Sequence, residues 1–238
     1  MPTGLLPEHR PGYVFNAMVH PLLHTAIRGV LWYQGESNSG RAADYADLFR
    51  ALIEGWRAAF HQPALPFLFV QLPNLAGGGD WPFLREAQEQ ALALPGTARA
   101  VTLDVGESID IHPHHKQPVG ERLANLALRE VYAQPVQPYS PTVAEVRAGG
   151  SELRLQFRHA AGGLRTTDGK APRGFEICGP DGAYQPADAR LDDDGVLLTH
   201  PAVPAPAGVR YAFRADPDIN LVNAEGLPAA PFRRDPPA

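Results

Sequence analysis

Three consecutive stretches decide the fold: Ile27-Arg28-Gly29-Val30-Leu31-Trp32-Tyr33, the striped segment from Ala43 to Phe60, and Phe67-Leu68-Phe69-Val70-Gln71-Leu72. The two short apolar runs suit buried strands. Between them, Tyr45, Leu48, Phe49, Leu52, Ile53, Trp56 and Phe60 follow the spacing of an amphipathic helix, with Pro63 and Pro66 closing it. Strand, helix and strand in this order predict a parallel pair covered by its helix. Ala100-Val101-Thr102-Leu103 reads as a third strand. Gly77-Gly78-Gly79 opens a loop before a further helix that Asp80 can cap, with Pro82 in its first turn. A last helix is expected from about Pro118 to Tyr132, with Val119, Leu123, Leu126, Ala127 and Val131 on one face. The result is a doubly covered parallel α/β sheet.

The pattern changes after the Pro-rich joint Gln134-Pro135-Val136-Gln137-Pro138-Tyr139-Ser140-Pro141. Val143 to Val146, Leu153 to Phe157, Phe175 to Cys178, Val196 to Thr199 and Val209 to Phe213 are short alternating segments. Gly149-Gly150, Asp168-Gly169, Asp181-Gly182 and Asp194-Gly195 supply the turns. We therefore expect two domains, an α/β domain over residues 1–138 and an all-β sandwich over 139–238. The chain of 238 residues is 44% hydrophobic and 20% charged, ordinary for a folded protein that can bury a core. A formal net charge of −5 argues against nucleic acid as a partner. The sequence has no run of ~18 apolar residues to span a membrane, and Met1 to Tyr13 lacks the apolar region of a signal peptide. The single Cys178 excludes an internal disulfide framework.

Two loops follow predicted strands, where open α/β sheets place their sites. The first, Trp32-Tyr33-Gln34-Gly35-Glu36-Ser37-Asn38-Ser39-Gly40, gathers amides, hydroxyls and a carboxylate. It reads either as a polar turn or as part of a site. Ser37 lacks the closing glycine of a nucleophile elbow and is rejected as a nucleophile. The second runs from Asp104 to Gln117 and carries His112, His114 and His115. Their spacing is not that of a helical zinc pair, and Pro113 stiffens the segment, so no metal or other cofactor is expected. A catalytic imidazole with a carboxylate to orient it fits better for His112, while His114 and His115 read as exposed.

At these loops the sequence resembles the sialate O-acetylesterase family of SGNH-type hydrolases. Gly29-Val30-Leu31-Trp32-Tyr33-Gln34-Gly35-Glu36-Ser37-Asn38 is similar to the family's core motif. Tyr13-Val14-Phe15-Asn16-Ala17-Met18, Leu84-Arg85-Glu86-Ala87-Gln88, and Asp110-Ile111-His112-Pro113 with Lys116-Gln117 resemble further family segments. The tail from Asn220 to Arg233 does so too. The resemblance implies a flavodoxin-like SGNH domain and hydrolysis of O-acetyl esters on sialic acid or related sugars by a serine, a histidine and an acid. Family members are often exported, so a periplasmic or secreted location is implied for the full-length protein. In that scheme His112 is the base, Gln34 is the best oxyanion donor, and Gly35, Asn38 and Asn16 belong to the oxyanion or substrate contacts. Asp110 stands two residues before His112, where many SGNH enzymes place the acid three before, and the likeness to related carbohydrate acetylesterases implies that the glutamate of the Gln-Gly-Glu-Ser loop can serve instead, so Glu36 is favoured as the acid and Asp110 is second.

The family's nucleophile lies in a Gly-Gln-Ser-Asn block upstream of the Tyr-Asn-Gly-Met segment. The serines here are Ser37, Ser39, Ser108, Ser140 and Ser151, and none has that context. We therefore expect a partial SGNH domain, the carboxyl-terminal portion of an esterase without its serine, with an open sheet edge that favours poor solubility. The competing expectation is a non-catalytic carbohydrate-binding or interaction protein derived from the same family.

Overall fold

The computed structural model describes residues 10–192 and 195–237. Residues 1–9 of the amino-terminal segment and Asp194 of the Asp194-Gly195 turn lie outside them. The first elements are a π-helical turn, Phe15–Val19, and a 3₁₀ turn, His20–Leu22. Strand β1, Val30–Trp32, leads through the 3₁₀ segment Glu36–Arg41 into helix α1, Ala42–Ala59. Strand β2, Phe67–Gln71, leads to helix α2, Trp81–Glu89, then β3, Thr97–Val101, and helix α3, Gln117–Glu130. The three strands form one parallel sheet in the order β1-β2-β3.

All five residues of β2 are buried, because its side chains alternate between two covered faces. Phe67 and Phe69 join Tyr45, Phe49 and Ile53 of α1 and Leu84 of α2 on one face. Leu68 and Val70 meet Val119, Leu123 and Leu126 of α3 on the other. The apolar stripe of α1 thus points where its spacing required. Pro82 stands in the first turn of α2, but the Asp80 side chain makes no capping hydrogen bond there.

The remaining strands are antiparallel: β4 Thr142–Gly149, β5 Glu152–Arg158, β6 Arg165–Thr166, β7 Phe175–Cys178, β8 Gln185–Pro186, β9 Asp188–Asp192, β10 Gly195–Thr199, β11 Gly208–Tyr211, β12 Leu221–Val222 and β13 Phe232–Arg234. They form sheets ordered β4-β5-β10-β9 and β13-β11-β7-β8, with β12 and β6 as a small pair. Leu153, Leu155, Val196 and Leu198 of the first sheet share a core with Phe175, Ile177, Val209 and Tyr211 of the second. Two sheets burying their inner faces together make a sandwich. Gly150, Gly169 and Gly182 have φ of 61°, 68° and 71°, the left-handed conformations their turns need.

Helix α2 is one of the elements that meet this sandwich. Phe83 packs edge-on against Phe213 at 5.1 Å between ring centroids, and Arg233 pairs with Glu86 at 2.9 Å. Val101 and Leu103, at and beyond the end of β3, belong to the sandwich core.

Candidate active site

Because β1, β2 and β3 are parallel, the loops that follow them leave from one end of the sheet. The loop after β1 is held from three sides. Gln34 donates its side-chain amide to Asn38 Oδ1 at 2.9 Å. The Tyr45 hydroxyl on α1 lies 3.0 Å from the Gln34 carbonyl and 3.2 Å from its Oε1, its one proton within reach of either. Buried Gln88 on α2 donates to the carbonyls of Gln34 and Val70, both at 3.2 Å, and accepts from the Leu72 N–H at 3.0 Å. Gly35 is buried in this clasp, and a Cβ there would meet Leu72 Cδ1 at 3.1 Å. Glu36 is half-buried beside Tyr33, whose hydroxyl pKa is pushed up to about 12, chiefly by burial and then by the Glu36 charge.

The loop after β3 begins with Asp104, gripped by Arg122 of α3 through two hydrogen bonds of 2.6 Å. His112 is exposed, and its backbone N–H donates to Asp110 Oδ1 at 2.8 Å. Among the described residues neither the His112 ring nor the Glu36 carboxylate makes a hydrogen bond. Glu107 accepts from the backbone N–H of His114 at 2.7 Å and pairs with its Nδ1 at 3.0 Å. These contacts hold the Glu107 carboxyl below its usual range, and the Glu107 hydrogen bond raises the His114 imidazole above its own. His115 is exposed. The loop ends against the first one, with the Lys116 ammonium 4.8 Å from the Tyr33 ring centroid.

The site residues read from the sequence thus fall into two groups and one outlier. Gln34, Gly35, Glu36 and Asn38 share the loop after β1, with a direct bond between Gln34 and Asn38. Asp110 and His112 share the loop after β3, with the Asp110 carboxylate turned to backbone. Asn16 lies exposed in the turn Phe15–Val19, and its side chain bonds none of the others among the described residues. Ligating atoms of Glu107, Asp110 and His114 gather within 4.8 Å of one another, a donor set that could accept a divalent cation.

Three positions carry roles that the sequence reading did not assign, although two of them lie in the family-like segment 84–88. Glu107 clasps His114, which is exposed as the sequence reading expected but is not without a partner. Gln88 and Arg85 sit in an amphipathic helix, where polar residues read as solvent-facing, yet they are 1% and 0% exposed. Burial lowers the Arg85 guanidinium to about 9, and backbone carbonyls replace its water.

Comparison with known proteins matches residues 9–129 to the carbohydrate esterase, sialic acid-specific acetylesterase family. Sialate O-acetylesterase of Rattus norvegicus is 37% identical over 46% of this chain and 24% of the relative. The Mus musculus protein of that name is 36% identical over 62% of this chain and 32% of the relative. A crystal structure described as a novel carbohydrate acetylesterase from Xanthomonas citri superposes with a TM-score of 0.90 at 40% identity. It covers 93% of this chain and 53% of that one. The chain therefore spans about a third or less of the curated relatives and about half of the solved structure. The fold is an SGNH-type parallel α/β sheet followed by an all-β module. On this match the chain belongs to the carbohydrate esterase, sialic acid-specific acetylesterase family.

Proposed function

We propose that the chain is the histidine-bearing portion of a carbohydrate O-acetylesterase acting on acetyl esters of sialic acid or a related sugar. The observation that carries this reading is the approach of the Gln34–Asn38 loop and the His112 loop at one end of the parallel sheet. Residues 1–138 act as the esterase domain, and 139–238 as a sandwich module packed on it.

The nucleophilic serine comes from sequence beyond these residues. The outer edge of β1 is unpaired among the described residues, and Leu31 is 61% exposed there. A further parallel strand on that edge would end beside Gln34, at the sheet end that carries both loops. His112 takes the serine proton as acetyl transfer begins and returns it to the departing sugar oxygen. Water then attacks the acetyl-serine, with His112 again as the base. The tetrahedral oxyanion is met by the Gly35 N–H and by the side chains of Gln34 and Asn38, a donor of this kind being worth ~3–4 kcal/mol of barrier. Asp110 Oδ1 is occupied by the His112 backbone, which supports Glu36 as the carboxylate that orients the ring. Asn16 contributes to sugar binding.

The test is acetate release from O-acetylated sialic acid by the longer protein that contains this chain. His112→Ala is expected to abolish turnover, Glu36→Gln to lower kcat by up to ~10⁴-fold, and Asp110→Asn to cost less. Undiminished turnover in His112→Ala would overturn the proposal. A larger fall with Asp110→Asn would exchange the two carboxylates. Binding of acetylated glycan without any acetate release would favour a non-catalytic carbohydrate-binding role.

A further inference from the structure

We propose that Arg85 and Asn74 are positioning residues through which the sandwich module holds the histidine loop in place. The coupling stands on geometry alone; its consequence for catalysis rests on the reading of His112 as the base.

The guanidinium of Arg85 is wholly buried and bonds two separate segments at once. Its Nε donates to the Leu72 carbonyl at 2.8 Å and its Nη2 to that of Pro73 at 2.6 Å, both in the loop after β2. Its Nη1 donates to the Arg214 carbonyl and its Nη2 to that of Ala215, each at 2.8 Å, in the segment that follows β11 of the sandwich. Only a planar fork with several fixed donors reaches both sets of carbonyls; an ammonium cannot. Two further bonds repeat the link: the Leu75 N–H to the Ala215 carbonyl at 3.1 Å, and Asn74 Nδ2 to Asp216 Oδ1 at 2.8 Å.

The same short loop then holds the histidine loop. The Ala76 N–H donates to the Ser108 carbonyl at 2.8 Å. Gly106 lies so close to Asn74 that any Cβ at 106 would collide with the Asn74 backbone and side-chain oxygen. Loop 72–76 is thus wedged between the sandwich and the segment leading to His112. A base must sit within hydrogen-bond reach of its proton, and the loop's own clasps, Arg122 on Asp104 and Glu107 on His114, flank His112 without touching its ring, so its placement needs a further constraint. The module supplies that constraint through Arg85.

Amide hydrogen exchange on the full chain tests the coupling. Asp216 is exposed, bonds Asn74 and lends its charge to the buried Arg85 guanidinium, so Asp216→Ala loosens both links to loop 72–76 without opening a cavity. It is expected to speed exchange of amides in 104–112 about tenfold while the β4–β5 hairpin is unchanged. Arg85→Lys is expected to do the same more strongly; if it fails to fold, Asp216→Ala still decides. Exchange that rises uniformly, or only in 72–76 and 214–216, would overturn the proposal. In the longer protein Asp216→Ala is expected to lower kcat and leave KM unchanged. Absence of turnover in the unsubstituted longer protein would count against the esterase reading and leave the exchange result standing.

Discussion

The pairing of Glu107 with His114 makes the hold on the histidine loop depend on pH. Glu107 is lowered, so its share of the clasp is present above the ordinary carboxylate pKa and is lost as pH falls through the lowered value. His114 is raised, so its share is complete below the ordinary imidazole value and fades as pH climbs through the raised one. The clasp is therefore strongest between the ordinary carboxylate and ordinary imidazole values and weakens on either side. An NMR titration of the His114 ring should give a pKa above 6.5 that falls back in Glu107→Gln. An unchanged pKa in the variant would mean that the pair does not form in solution. None of this was legible in the sequence, because Glu107 and His114 meet only when the loop turns back on itself. His112 and Gln34 stood out because their neighbours form recognisable motifs.

At the scale of elements, periodicity was reliable where a face is buried. The helix expected over 43–60 forms as Ala42–Ala59, since its aromatic stripe covers the sheet. The strand expected over 27–33 pairs only at Val30–Trp32, and the third shifts from 100–103 to Thr97–Val101. That shift hides behind Arg99, which reads as a surface residue but is buried in an ion pair with Glu89. Short pairings such as β6 with β12 leave no pattern at all, since two residues carry no period. The tail motif has a structural explanation instead. Asn223 is fully buried and donates to the carbonyls of Tyr139 and His159, while its Oδ1 accepts from the Leu227 N–H. Asn220 does similar work, donating to Asp168 and Ala171 and accepting from the Arg173 N–H. Asn223→Ala strands three backbone groups, and thermal or urea unfolding should show a loss of about 1–3 kcal/mol. A change within about 0.5 kcal/mol would place those groups in contact with water instead.

For the whole molecule, the parallel sheet and the sandwich are tied through α2 and the loop that precedes it. The exposed Leu31 and the unpaired edge of β1 sit at the opposite side of the sheet from β3. Alternating strands and helices made the sheet readable, but nothing in a linear pattern shows that a buried arginine joins it to the sandwich. In the mechanism proposed above, His112 serves a serine lying beyond these residues. Labelling the longer protein with a serine-directed organophosphonate, followed by peptide mass spectrometry, tests it most directly. The label is expected on a serine outside residues 1–238, at a rate that collapses in His112→Ala. Label on Ser37, Ser39, Ser108, Ser140 or Ser151, or a rate indifferent to His112, would contradict it.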